Sequence, residues 1–455
     1  MFNEVNAYCL NRIVQLAESR EVVAAHDICD DRGTKLLAAG KRVSAELRQR
    51  LLMRKLAKPL EMALSVEDSL TLHDVGQSCF EYLDRYPLAR AFAGNADALA
   101  LLRALQKERL APSVSLLLTA VHQHSPDEYA HNVATILLAV GLASRLRASD
   151  RDSMCLMLAG LLHDFGVLYV NPELIKQPHL HPRDWKYVAA HPMIGKMLIR
   201  EMTTLPPLVA ELTAQHHERM DGSGYPNHLG RGQIQRLGGW LAVADSVSAI
   251  MMRGGDEAPA RIALALRVIP EEFDREAVSS VITAMRGMES GTGAGDATCF
   301  ERAEREMERI ESALGHAREV GARSREPMAA AVVHALEITL GNVAKSLRAT
   351  GVLDAKAQLA ADIGDPELLA EMNQITHEVG WRMRNLARNI YMRAEAQGAH
   401  GLLVELQQVI DLLDGGHDAV PASSSPASRQ DEEGFGDVAL VPVPARLSDQ
   451  IAQGV

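Results

Sequence analysis

The stretch His216-His217-Glu218-Arg219-Met220-Asp221-Gly222-Ser223-Gly224-Tyr225-Pro226 constrains this 455-residue chain more than any other. Two adjacent imidazoles, with an Asp five residues after the first, are not something core packing asks for. Adjacent side chains on a helix point about 100° apart. His216 and His217 can therefore turn toward one centre without sharing a face. Asp-Gly and Gly-x-Gly are turn signals anywhere, so Asp221 to Pro226 also reads as a bare tight turn. The neighbouring histidines favour a site. Glycine lets backbone approach closely, and Tyr225 offers a ring face and a hydroxyl.

Histidines elsewhere follow the same lead. Ten of the seventeen lie between His122 and His228. His131 sits in a helical segment whose Val133, Ile136, Leu137 and Val140 make an apolar stripe. Thirty-two residues on, His163-Asp164 ends an apolar helix. His191 follows after twenty-eight more, His216 after a further twenty-five, and Asp245 twenty-nine beyond that. Singly, each reads as a satisfied core or helix-end residue, and clustering alone is modest evidence for a metal centre. Imidazole nitrogen and carboxylate oxygen suit divalent iron, manganese or zinc, and the lack of thiolates argues against a structural zinc site. His122, His124, His179 and His181 fall outside this series and read as surface or loop residues.

Composition narrows the partners. A net charge of −12 argues against a nucleic-acid polymer, which needs a basic surface, and aromatics at 4% leave little for base stacking. A small phosphorylated substrate is still compatible, because bound cations supply positive charge locally. The longest apolar run, Met154 to Leu162, is too short to span a bilayer. The first residues lack a secretory apolar core, and the five cysteines show no metal or disulfide spacing, so the cytoplasm is the expected compartment.

This length suggests roughly three domains. Residues 1–70 read as a small α+β module of strand, turn, strand, helix and strand, either a structural appendage or a sensory or partner-binding unit. Residues 71–125 read as a helical connector, and 126–289 as a nearly all-helical block. A linker-like SGTGAGDA follows at Ser290–Ala297. Residues 298–414 read as an antiparallel helical bundle, with Asp365-Pro366 as a helix start. The bundle serves either dimerisation and regulation or the covering of an apolar face. Residues 415–455, rich in Pro, Ser and Gly, are expected to be disordered.

The order His131, His163-Asp164, His191-Pro192, His216-His217, Asp245, together with Asp221-Gly222-Ser223-Gly224-Tyr225-Pro226, resembles the HD-GYP family of metal-dependent cyclic dinucleotide phosphodiesterases. The resemblance covers about a third of the chain. It implies a mainly α protein built on a helical HD-type phosphohydrolase domain. It also implies two divalent metals, iron or manganese: one on His131, His163, Asp164 and Asp245, the other on Asp164, His191, His216 and His217, with Asp164 bridging. His163 and Asp164 would be the catalytic pair. Asp221, Gly222, Gly224, Tyr225 and Pro226 would form a substrate and partner loop, which in the family is linked to contacts with GGDEF-domain proteins.

Several positions depart from the family pattern. Val167 stands where a lysine is usual, and Gly239 where an arginine is usual. Val247-Ser248-Ala249 replaces Phe-Asp-Ala. Arg219, Arg253 and Lys186 are the candidate substitute cations. Losing one donor to transition-state charge typically costs roughly 3 kcal/mol. Two readings follow: a cyclic di-GMP phosphodiesterase giving linear pGpG or GMP, or a weak or inactive relative acting as a cyclic di-GMP receptor or scaffold. A third, a phosphohydrolase of another nucleotide, is disfavoured by the complete Gly-Tyr-Pro loop.

Overall fold

The computed structural model describes residues 2–177, 180–288, 298–326, 329–354 and 366–415. The linker expected at Ser290–Ala297 and residues 416–455 of the tail expected over 415–455 lie outside them, as does Asp365. The protein is mainly α. Its described strands are four short ones in two antiparallel pairs: Val22–Ala24 with Leu64–Val66, and Ile28–Cys29 with Lys35–Leu37. The chain divides into two compact units, Met1–Leu180 with Asp184–Ala294, and Gly295–Val455 with His181–Arg183.

In the first unit a helix unforeseen from sequence, Ala7–Ser19, starts on the Asn6 side chain, which accepts from the backbone N–H of Tyr8 and Cys9. Its buried face of Leu10, Ile13 and Leu16 packs beside the small sheet. Two apolar helices, Pro126–Arg145 and Asp150–Leu162, lie against each other at the centre of this unit. Gly160 has no side chain to hold them apart, and an added Cβ there would sit 3.5 Å from the Ile136 backbone. Both helices are buried almost all round, as helices deep in a core must be. The Arg236–Arg253 helix packs on both.

The small module and the helical block share one continuous apolar core, running through Leu16, Val22, Leu64, Leu72, Leu116, Leu137 and Leu161. A buried polar contact ties them further. The Tyr169 hydroxyl donates to Glu61 Oε1 at 2.5 Å, and Cys9 Sγ donates to the same oxygen at 3.4 Å. Burial holds the Glu61 carboxyl above its ordinary pKa, although both donors pull the other way. The Asn6 amide donates to the Tyr169 carbonyl.

In the second unit the Cys299–Arg323 helix touches the Ala329–Ala349, Pro366–Ala396 and His400–Asp414 helices. Met307, Ile310, Leu336, Leu340, Val379, Met383, Leu402 and Leu406 are buried there. Arg309 closes one end, donating to the Leu412 and Leu413 carbonyls. No described helix is long and apolar enough to cross a membrane.

Removing the Tyr169 hydroxyl leaves Glu61 buried with only a weak thiol donor among its side-chain partners. Tyr169→Phe should cost about 1–3 kcal/mol in urea unfolding, the usual penalty for an unsatisfied buried group. In a Glu61→Met background the same change should cost much less. Equal losses in both backgrounds would show that the two side chains do not act as a pair.

Candidate metal centre

The site is assembled from chain segments that end, or turn, at one place. The Asp150–Leu162 helix starts on Ser149, which caps Asp152, and stops at His163. Asp164 follows, and a tight turn runs Phe165–Tyr169. His191 opens the His191–Met202 helix. The Pro207–Gln215 helix stops just before His216 and His217, so this pair sits on the turn beyond a helix end, not within a helix. His131 and Asp245 project from the bodies of the Pro126–Arg145 and Arg236–Arg253 helices. Gly166 lets the turn press on the start of the next helix; a Cβ there would collide with the His191 carbonyl oxygen.

Carbonyls in a helix's last turn lack backbone donors. Three of the histidines use them. His163 Nδ1 donates to Gly160 at 2.9 Å, His191 Nδ1 to Val188 at 2.7 Å and His216 Nδ1 to Thr213 at 2.6 Å. A carbonyl only accepts, so each Nδ1 carries the proton and each neutral ring presents a bare Nε2. His131 Nδ1 instead meets Ser248 Oγ at 3.1 Å.

All seven expected residues converge. His131 Nε2 and His163 Nε2 are 3.2 Å apart, as are His191 Nε2 and His216 Nε2. The two oxygens of Asp164 face different groups: Oδ2 lies 3.3 Å from His163 Nε2, and Oδ1 lies 3.2 Å from His191 Nε2 and 3.6 Å from His216 Nε2. Asp245 is also divided, with Oδ1 3.0 Å from His131 Nε2 and Oδ2 3.4 Å from His217 Nδ1. Two clusters able to hold a metal result, His131–His163–Asp164 and Asp164–His191–His216–His217, with Asp164 common to both.

The spacing fits such ions. Donors at about 2.0–2.2 Å from one cation, set about 90–109° apart, lie roughly 3.0–3.4 Å from each other. The His191–His216 pair points the same way chemically. Both Nδ1 protons are committed to carbonyls, so two lone pairs face each other at 3.2 Å. A proton or a cation between them relieves that repulsion. Burial pushes the His216 pKa down, which disfavours the proton.

Electrostatics elsewhere agree. Burial favours the neutral acid at Asp164 and Asp245, yet the surrounding imidazoles, with the hydrogen bonds they make, hold both carboxyls far below the usual carboxylate range. His217 is pushed well down, first by burial and then by His216. His163 goes the other way: burial opposes its charge, but the Asp164 carboxylate, with help from Asp245, raises it to about 9.

The Gly-Tyr-Pro loop folds back over this centre. Gly224 lies against the backbone of His217 and Glu218, leaving no room for a Cβ. The Tyr225 N–H donates to the His217 carbonyl, and its ring packs 4.7 Å from the His217 ring. Trp185 closes on the far side of Tyr225 at 5.5 Å. Pro226 is buried after a cis peptide. Asp221 is exposed and accepts from the Ser223 N–H and hydroxyl, while Gly222 takes a positive φ of 78°. Glu218, buried, accepts from the N–H of Asn227 and Leu229 and so staples the loop to the histidine segment. Sequence reasoning missed Glu218, Trp185, Thr135 and Ser248 as parts of the site; only adjacency to motif residues marked them.

The substitute cations fare differently. Arg219 is buried beneath the site, its guanidinium 4.8 Å from the Phe273 ring centroid and donating to the His216 and Glu218 carbonyls. Lys186 lies over the Tyr187 ring, and Arg253 is exposed at a helix end. Val167 is half-buried one turn from Asp164. Gly239 is buried, with Met220 in the space a side chain would need. His122 packs on Tyr129, away from the cluster. His179 lies outside the described residues.

The raised His163 gives a pH signature. In the metal-free chain its stabilising contribution is fully present below the unfolded value of 6.5 and is lost as pH rises through about 9. A cation at this position displaces that proton. The gap in thermal midpoint between metal-loaded and metal-free protein should therefore widen from pH 6.5 to 9. A gap that stays constant in calorimetry across this window would remove His163 from the ligand set.

Part of the chain is similar to known proteins. The pattern of the HD domain family matches residues 115–276. A cyclic di-GMP phosphodiesterase of Pseudomonas aeruginosa is 36% identical over 137 residues, covering 30% of this chain and 33% of the relative. A 3'3'-cGAMP-specific phosphodiesterase of Vibrio cholerae is 28% identical over 154 residues, 34% of this chain and 33% of the relative. A cyclic di-GMP phosphodiesterase of Thermotoga maritima is 34% identical over 145 residues, 31% of this chain and 39% of the relative. The chain thus spans between a third and two fifths of the length of these relatives. Residues 115–276 match the HD domain family.

Proposed function

We propose that the protein is a metal-dependent phosphodiesterase that opens cyclic di-GMP to linear pGpG, and onward to GMP. The observation that carries this reading is the His191–His216 pair, two lone pairs locked face to face beside a carboxylate that is shared with a second histidine pair. His131, His163, Asp164 and Asp245 would hold one divalent ion, and Asp164, His191, His216 and His217 the other, with iron or manganese suited to such N and O donors. Two ions so placed supply an activated water and neutralise phosphodiester charge.

The rest falls to the chain itself. Helix-end carbonyls keep the rings aimed, and the apolar helices beneath exclude water from the ligands. Tyr225 presents its ring and hydroxyl above His217 as one wall for the substrate. The proposal extends to the Gly-Tyr-Pro loop as the contact for GGDEF-domain partners and to the C-terminal helices as a dimerisation element.

A specific observation favours a second reading. Arg219 is committed to carbonyls and to Phe273, Met220 fills the space beside Gly239, and Val167 carries no charge. A site with no available charge at these three positions also suits a metal-loaded receptor or scaffold for cyclic di-GMP.

The test is incubation of protein, loaded anaerobically with iron or manganese, with cyclic di-GMP and in parallel with 3'3'-cGAMP, followed by chromatography of the products. Linear pGpG supports the enzyme reading. Tight binding without product selects the receptor. Turnover of 3'3'-cGAMP alone replaces the substrate. Asp164→Ala should lose more than one equivalent of metal, and a normal load would remove its bridging role. Val167→Lys should leave turnover unchanged or raise it by up to about 10²-fold, since a cation near a dianionic transition state is favourable. A large drop would mean the site is organised differently around Val167.

A further inference from the structure

We propose that Ser248, backed by Thr135, is a positioning residue that holds His131 as a ligand of one ion only, so that the two metal positions are supported by different chemistry. This rests on the metal reading above and not on hydrolysis.

His163, His191 and His216 each have Nδ1 on a backbone carbonyl, a partner that no side-chain substitution removes. His131 lies inside its helix, where the backbone carbonyls are already engaged, and takes its partner from another helix. Ser248 Oγ stands 3.1 Å from His131 Nδ1. Both Ser248 and Thr135 are wholly buried, so bulk water does not reach either hydroxyl.

The hydrogen bonds can be placed one by one. With Nε2 facing a cation, Nδ1 carries the proton and donates to Ser248 Oγ. Ser248 passes its own proton to the Asp245 carbonyl at 2.8 Å. The Thr135 hydroxyl, 2.8 Å from Ser248 Oγ and 2.9 Å from the His131 carbonyl, donates to either. Every polar atom is then satisfied. The same serine ties the His131 ring to the backbone of Asp245, a second residue of that ion's proposed set, and touches none of His191, His216 or His217. Where the resembled pattern places an acid, this chain has a neutral hydroxyl, a weaker partner for an imidazole N–H.

Partners that orient a metal-binding imidazole are typically worth about 10–100-fold in metal affinity. The full chain, stripped of metal, is titrated calorimetrically with manganese. The unmodified protein should take two equivalents. Ser248→Ala should weaken one of them about 10–100-fold and leave the other unchanged, and Ser248→Thr, which keeps the hydroxyl, should restore it. Thr135→Val should move the same equivalent in the same direction by less, and it also carries the test if Ser248→Ala does not fold. A loss of general packing would instead lower the thermal midpoint and weaken both ions alike. Unchanged uptake in Ser248→Ala and Thr135→Val, or equal weakening of both ions, overturns the assignment. If the unmodified chain takes up no manganese, the metal reading and this assignment fall together; absence of hydrolysis alone removes only the phosphodiesterase reading.

Discussion

The ring N–H of a histidine bonded to the carbonyl three residues behind it is the contact on which the centre depends. It costs the fold little, because helix-end carbonyls need a donor in any case. It fixes the tautomer and direction of three rings at once. The consequence is global: for those rings to meet, the ends of separate helices must meet, and the apolar bodies of those helices must pack behind them. The all-round burial of the Asp150–Leu162 helix, and of most of the Pro126–Arg145 helix, follows from this arrangement. A polar cluster of this density is tolerable inside an apolar core only because nearly every donor and acceptor has a partner.

Much of this was legible in the sequence. His131, His163, Asp164, His191, His216, His217 and Asp245 were separable from the other histidines because their order and intervals resemble those of the HD-GYP family. The small α+β module was legible from turn residues between short apolar runs. What could not be read was set by contacts distant in sequence. Ser248 stood out only as a departure from the resembled pattern, and its partner, His131, lies 117 positions away. Arg219 looked like a free cation next to the histidines; Phe273 and two carbonyls show it to be internal scaffolding. The Ala7–Ser19 helix was hidden because its start depends on one Asn cap and its apolar face is short.

Among the described residues the centre is rich in groups that can bind cations, while Arg219 is engaged with Phe273 and two carbonyls and Val167 and Gly239 carry no charge. In a chain with net charge −12, an anionic ligand approaches against the overall field. Attraction then has to come from whatever cations occupy the centre itself. Ligand binding and metal content would consequently rise and fall together, more tightly than in a site lined with lysine and arginine.

The continuous core beneath the small module and the helical block has an evolutionary corollary. The segment that sequence likeness picks out, residues 115–276, is smaller than the body that must fold, because Leu16, Val22 and Leu64 share its apolar interior and Glu61 holds Tyr169 inside it. Recombination that moved only the matched segment into another protein would leave Tyr169 without Glu61 and uncover the apolar surface they close. The folding unit is the domain together with its N-terminal partner, and a substitution in either one is felt by the other through their shared core.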